Sequence, residues 1–250
     1  MLEFQNVSFT YPGAEAPIME NLSFSVEAGS FVSIIGASGS GKSTLFRLLN
    51  SLEELQEGTI TVNGRDIRSL SHYTSYMPQQ DLLFPWRTVE KNVMLPMQVQ
   101  KVPKEERKRV AAQMLAKVGL TDWANSYPRE LSGGMRQRVS FARTLCAGSD
   151  LLLLDEPFSA LDSITRISLQ EWLREQWESL DKTILFITHD VEEAIFLSEK
   201  ILVLTGSPVT GLKEFTVPLP GKRTREMLLQ GEIQQLKETL VELLRSEAAE

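Results

Sequence analysis

The chain has a single cysteine, Cys146, which excludes an intrachain disulfide and any cysteine-based metal site. It has no apolar run of about 18 residues, so no segment crosses a bilayer by itself. The opening residues Met1-Leu2-Glu3-Phe4 lack the basic and apolar regions of a secretion signal, and the expected location is the cytosol. Positive charge is in deficit: 26 Lys and Arg stand against 33 Asp and Glu. The net charge of −7 argues against a general binder of nucleic acid or anionic lipid. Any membrane association must therefore come through a protein partner. There is no internal repeat. What is present, 250 residues of which 42% are hydrophobic, suffices for a well-buried core and one or two domains.

Two stretches carry most of the chemistry. The first is Gly36-Ala37-Ser38-Gly39-Ser40-Gly41-Lys42-Ser43-Thr44. It follows the apolar, β-branched run Phe31 to Ile35 and opens into the helix-like Leu45-Phe46-Arg47-Leu48-Leu49. That strand–loop–helix context distinguishes a phosphate-cradling P-loop from a glycine-rich turn. Glycines let successive N–H groups point at phosphates, and the helix that follows starts with its positive dipole end there. Lys42 can then reach the β- and γ-phosphates, and the Ser43 hydroxyl can ligate Mg²⁺.

The second stretch is Leu131-Ser132-Gly133-Gly134-Met135-Arg136-Gln137-Arg138. Ser132 is a good N-cap, the glycines leave the amides beyond it open, and Val139, Ala142, Leu145 and Cys146 recur at helical spacing. The result is a second helix N-terminus suited to an anion, with Cys146 expected as a plain buried residue. Further on, Leu151 to Leu154 reads as a buried central strand ending in two carboxylates, Asp155 and Glu156. Asp155 stands where P-loop enzymes hold the Mg²⁺ shell. Another apolar strand, Thr183 to Phe186, leads to Ile187-Thr188-His189-Asp190.

Over about residues 1–205 these motifs resemble the ATP-binding cassette (ABC) ATPases, and the Leu131–Arg138 octet resembles their signature motif. The resemblance implies that Ser132, Gly133, Gly134 and Gln137 cap an ATP held by a partner subunit, so that two copies form a homodimer around ATP. It implies that Glu156 orients and deprotonates the attacking water and that His189 is the switch histidine sensing the γ-phosphate. Ser159-Ala160-Leu161-Asp162 resembles the D-loop, with Asp162 touching the partner. Gln79, in Tyr76-Met77-Pro78-Gln79-Gln80-Asp81, matches the Q-loop glutamine that contacts the metal and the attacking water. Gln80 is the competing assignment, and distance to Pro85-Trp86 favours Gln79. Tyr11 matches the aromatic that stacks on adenine, against the plainer reading of a strand-end tyrosine packed on the sheet. ATP and Mg²⁺ are the implied ligands, with Ser43, Gln79 and Asp155 on the metal.

The expected fold is α/β, of the P-loop NTPase (RecA-like) type: a mostly parallel core sheet with an N-terminal antiparallel β part and a helical insertion. The ATPase domain is placed at 1–220, its antiparallel part at about 1–30 and 58–68, its insertion at about 86–146, and a helical tail at 221–250. Gly58 to Gly64 alternates and ends in an Asn-Gly turn signal. A helix starts near Pro103, carries Val110, Met114, Leu115 and Val118 on one face, and stops at Gly119. Arg107-Lys108-Arg109 is a solvated face. Residues 206–220, rich in Pro and Gly, read as a turn-filled crossing. The tail stripe Ile233, Leu236, Leu240, Leu243 and Leu244 either packs on the core or meets a dimer partner.

Asp81-Leu82-Leu83-Phe84-Pro85-Trp86-Arg87-Thr88-Val89 resembles the stretch after the Q-loop in importers of nitrate, sulfonate, taurine and thiamine-precursor pyrimidines. The implied protein is the ATP-hydrolysing subunit of a bacterial importer, peripheral on the cytoplasmic face of the membrane. Its implied partners are two membrane-spanning permease subunits and, indirectly, an extracytoplasmic solute-binding protein, with no nucleic acid. The lean within the group is to a pyrimidine such as formylaminopyrimidine. A cassette for nitrate, sulfonate or taurine is the alternative, followed by a non-transport ABC ATPase and a P-loop kinase of small molecules. Length leaves no room for the regulatory domain of many sugar-importer cassettes. Leu83 to Trp86 either anchors the helical insertion or lines a groove for a helix of the membrane subunit.

Overall fold

The computed structural model describes residues 1–179 and 182–247. Its centre is a sheet of six strands in the order β10-β9-β3-β8-β7-β6, made of β3 (Phe31–Ile35), β6 (Thr74–Met77), β7 (Leu151–Asp155), β8 (Thr183–Ile187), β9 (Lys200–Thr205) and β10 (Gly211–Thr216). All neighbours are parallel except β10 on β9. Every residue of β3, β7 and β8 is buried, because helices or a second sheet cover both faces. The period of two divides each strand between two cores: Leu152 and Leu154 join one, Leu151 and Leu153 the other.

One of those cores lies under the antiparallel sheet β2-β1-β4-β5, built from β1 (Leu2–Phe9), β2 (Met19–Val26), β4 (Glu57–Val62) and β5 (Arg65–Asp66). It also encloses the apolar face of α1 (Lys42–Leu49), the helix that the P-loop opens into. The other core receives the helical insertion: α2 (Val89–Val93), α3 (Leu95–Val99), α4 (Lys104–Lys117) and α5 (Gly133–Leu145). α4 starts after Pro103 and buries Ala111 and Leu115, and Gly119 beyond it takes φ +68. Asn92 on α2 is fully buried and pins the segment before it: its side chain bonds the backbone of Phe84, Arg87 and Thr88.

The stretch 206–220 differs from its reading as a crossing made of turns. Gly206 and Pro208 precede β10 and Pro218 and Pro220 follow it, leaving Gly211–Thr216 free to pair residue by residue with β9. Two further helices complete the core, α6 (Ser163–Ser179) and α7 (Val191–Leu197). α8 (Gly231–Glu247) packs its stripe on the core: Ile233 and Leu240 are buried, and Leu236, Leu243 and Leu244 lean on the same cluster. That is the packing alternative for the tail stripe; residues 248–250 of the expected tail lie outside the described residues.

Candidate active site

The C-terminal ends of β3, β7 and β8 open onto a crevice of about 550 Å³, lined by Tyr11, Ile18, Gly36, Ser38 to Thr44, Gln79, Glu156 and His189. That is the position where parallel sheets bind ligands. Backbone shape makes the cradle. Gly41 takes φ +83, and a Cβ there would come within 2.7 Å of Ile18 Cγ2; one on Gly36 would come within 2.7 Å of Ser40 Oγ. Lys42 is 9% exposed, and its ammonium donates to Gly36 O (2.9 Å), Ala37 O (2.7 Å) and Ser40 Oγ (3.4 Å). Burial lowers its pKa, while Glu156 and Asp155 push the other way. Tyr11 lines the crevice, packs edge-on against Phe9 at 4.9 Å, and shares a 3.1 Å hydrogen bond with the Thr44 hydroxyl.

Asp155 closes β7 and is 3% exposed. Burial pushes its carboxyl up to about 6, against the opposing effects of a hydrogen bond from Ser43 and the charge of Lys42. The Ser43 hydroxyl, the Asp155 carboxylate and the Gln79 amide form a set of hard oxygen donors with one carboxylate. Mg²⁺ is held in that way when substrate phosphates supply further ligands, so the residues present fit it.

Glu156 follows in the left-handed region at φ +49, an unusual conformation for a side chain of its size. Its amide donates to Ile187 O at 2.9 Å, and its carboxylate is turned into the crevice. One oxygen, Oε2, accepts from Gln79 Nε2 at 3.2 Å and lies 3.4 Å from His189 Nδ1. Three candidates from separate loops thus meet at one atom. Of the two glutamines, Gln79 reaches the crevice and Gln80 does not.

The signature octet stands apart. Ser132 caps α5, its hydroxyl accepting from Met135 N at 3.3 Å, and Ser132 and Gly133 are exposed. Among the described residues, none of the octet lines the crevice. Gln137 departs from its expected place facing a partner. It is 4% exposed, donates to Glu156 O at 3.1 Å and accepts from Ala160 N at 3.2 Å. It lies on the inner face of α5 and ties that helix to the loop of its own chain that carries Glu156. Gly134 is also close-set, since a Cβ there would approach Ala160 O to 3.2 Å. Asp162 is exposed and caps α6, accepting from Thr165 N at 3.0 Å, a bond that lowers its pKa.

Two arginines of α5 escaped the sequence reading. Arg136 Nε donates to Asp81 Oδ2 at 2.9 Å, and Arg143 donates to Asp81 O and Leu82 O at 2.7 and 2.8 Å. They stand seven residues apart, two turns along one helix face, which is the signal a helical projection would have carried. They hold the exit of the Q-loop onto the signature helix. Beside that exit runs an apolar groove of about 490 Å³ lined by Tyr76, Leu82, Phe84, Leu95, Pro96 and Val99, among others. Leu83 turns into the core. Trp86 is 71% exposed and packs edge-on against Phe84 at 5.3 Å, at the margin of the groove rather than within it.

The sequence model of the family described as ABC transporter matches residues 19–159. The chain is 44% identical over 226 residues to the formylaminopyrimidine import ATP-binding protein ThiZ of Halalkalibacterium halodurans, covering 90% of this chain and 88% of that one. It is 39% identical over 257 residues to the nitrate import ATP-binding protein NrtD of Synechocystis, covering 100% and 97%. Among solved structures, a dimeric ATP-binding cassette in a post-hydrolysis state with ADP and Pi superposes with a TM-score of 0.80 at 30% identity, over 88% of this chain and 100% of the other.

Proposed function

Because the chain belongs to the ABC transporter ATP-binding family, we propose that it is the ATPase subunit of a bacterial importer, working as a homodimer beneath two membrane-spanning permease subunits. The observation that carries this reading is the separation of the signature surface from the P-loop crevice, two anion-binding helix ends that one nucleotide does not need in a single chain. A head-to-tail pair brings each Ser132 surface over the partner's crevice, and the dimeric form of the solved cassette supports that arrangement.

In this reading the P-loop amides and Lys42 hold the phosphates of ATP, with Tyr11 beside the base. Ser43, Asp155 and Gln79 would hold Mg²⁺, which when bound neutralises charge on the β- and γ-phosphate oxygens. Glu156 accepts a proton from water as the water oxygen bonds to the γ-phosphorus and the bond to ADP breaks. Gln79 and His189 orient the Glu156 carboxylate through its Oε2 oxygen. The apolar groove next to the Q-loop exit is the docking place for a short cytoplasmic helix of the permease, since α5 grips that exit through Arg136 and Arg143. The subunit is then peripheral on the cytoplasmic face of the membrane.

A pyrimidine such as formylaminopyrimidine is the proposed solute, supported by the ThiZ similarity; nitrate, sulfonate or taurine is the second reading, supported by NrtD and by SsuB of Bacillus cereus. Solute does not touch this subunit, so the test lies with its partner. The solute-binding protein that works with this transporter is isolated and screened by thermal shift. A shift with formylaminopyrimidine and none with nitrate or sulfonates is expected, and the reverse pattern overturns the assignment.

A further inference from the structure

Behind His189 lies a chain of buried polar side chains. Glu193, in the first turn of α7, is 6% exposed and has both carboxylate oxygens engaged. One accepts the Thr188 hydroxyl and the other accepts Gln170 Nε2 at 2.5 Å. The Thr188 oxygen in turn accepts from Asp190 N at 3.0 Å, so one carboxylate ties down the residues on both sides of His189. Gln170, 3% exposed on α6, accepts from Arg225 through its own carbonyl. The Arg225 guanidinium lies over the Phe196 ring of α7, 3.9 Å from its centroid.

A buried carboxylate is costly unless its oxygens are paired, and these pairs leave their own helix. Capping does not explain them. Asp190 already accepts from Glu192 N and Glu193 N at 2.9 and 3.1 Å, which satisfies the start of α7. The His189 side chain is 69% exposed, so packing does little to fix its ring, and its place follows from the backbone of the turn. We propose that Glu193 is a positioning residue for ATP hydrolysis: through Thr188 it holds His189 against the Glu156 carboxylate, and through Gln170 it links that turn to the helix that starts at the D-loop. The inference rests on the assignment of His189 to hydrolysis.

The polarity of the chain supplies the test. In Glu193→Gln, either orientation of the new amide leaves one donor, from Thr188 or from Gln170, without an acceptor. Adding Gln170→Glu restores every pair, because a carboxylate at 170 accepts both from the amide at 193 and from Arg225. Steady-state ATP hydrolysis by the full chain should show kcat lowered about tenfold in Glu193→Gln, with KM for ATP and the melting temperature little changed. The double exchange should recover most of the rate. Thr188→Val removes the hydroxyl alone and should lose kcat similarly, with no repair by Gln170→Glu; it carries the test if the glutamine variant folds poorly. A wild-type kcat in both Glu193→Gln and Thr188→Val, or a loss that the double exchange leaves unrepaired, overturns the proposal. His189→Ala separates the two layers. If that variant hydrolyses ATP at the parent rate, the reading of His189 fails and this inference with it; if it is inactive while the Glu193 and Thr188 variants are normal, only this inference fails.

Discussion

The P-loop crevice and the start of α5 are both helix N-termini opened by glycines, yet one is finished within a single chain and the other is not. At the crevice, Lys42, Asp155 and Glu156 are held by neighbours on the P-loop, on α1 and on the loop that carries Gln79, and their charges already oppose one another. At α5 the outer residues Ser132 and Gly133 meet solvent, while the inner residue Gln137 is locked to Glu156 and Ala160. The contrast teaches that α5 has two unlike faces. Its start is open to solvent, and its buried face is bonded to the loop from Glu156 to Ala160.

The largest effect should come from the finished half. Glu156→Gln keeps the shape of the side chain and its contact range but removes the base, which is commonly worth 10²–10⁴-fold in rate. ATP binding should persist, because Lys42 and the cradle are untouched, and an ATP-bound dimer should accumulate on a sizing column. Hydrolysis near the parent rate in that variant would remove Glu156 from its role. The unfinished half is broken by Ser132→Arg, which places a bulky cation over the open amides. ATP binding to the isolated chain should be unchanged, while turnover falls on the order of 10²–10³-fold, the usual cost of losing anion-stabilising donors. Mixing it with Lys42→Ala should restore at most one working site per dimer. Equal loss of ATP affinity in both single variants would instead put the two halves around one nucleotide in one chain.

Much of this contrast is legible in the sequence because it rests on local signals. The continuous apolar runs before Gly36, Asp155 and His189 identify buried parallel strands, and the glycine spacings identify the two helix starts. What sequence leaves hidden is direction and partnership across elements. Gln137 sits in the octet, but only the packing of α5 against the Glu156–Ala160 loop turns it inward. Glu193 reads as one of two acids opening a helix, an ordinary dipole-favoured pattern, and nothing local reveals that Thr188 and Gln170 close over it. β10 is masked for the opposite reason, since the prolines and glycines that flank it outweigh its six paired residues in any local window.

A smaller effect is expected at the groove proposed to receive the permease helix. Trp86 is mostly exposed and stands at the rim of the groove, so Trp86→Ala should leave the fold and ATP binding intact. An aromatic anchor of that kind is often worth about 2 kcal/mol at an interface, and co-purification with the permease should weaken accordingly. Phe84 lines the groove itself, so Phe84→Ala should weaken docking at least as much. Normal assembly and transport by both variants would leave the groove without its proposed occupant.

The smallest effect separates the two ends of α5. Cys146 stands just past the helix, 7% exposed, and burial pushes its thiol up to about 12. The unfolded chain releases the same proton near pH 8.5, so the folded state holds more protons at alkaline pH. The stability this group contributes is fully present below about pH 8.5 and declines as the pH rises towards 12. Iodoacetamide at pH 8 should therefore label Cys146 slowly in the folded protein and quickly in urea, and Cys146→Ala should flatten the alkaline fall in stability slightly. Labelling of the folded protein as fast as a free thiol would show that α5 opens at its buried end as readily as at its exposed one. The division of that helix into a presenting end and an anchored end would then be lost.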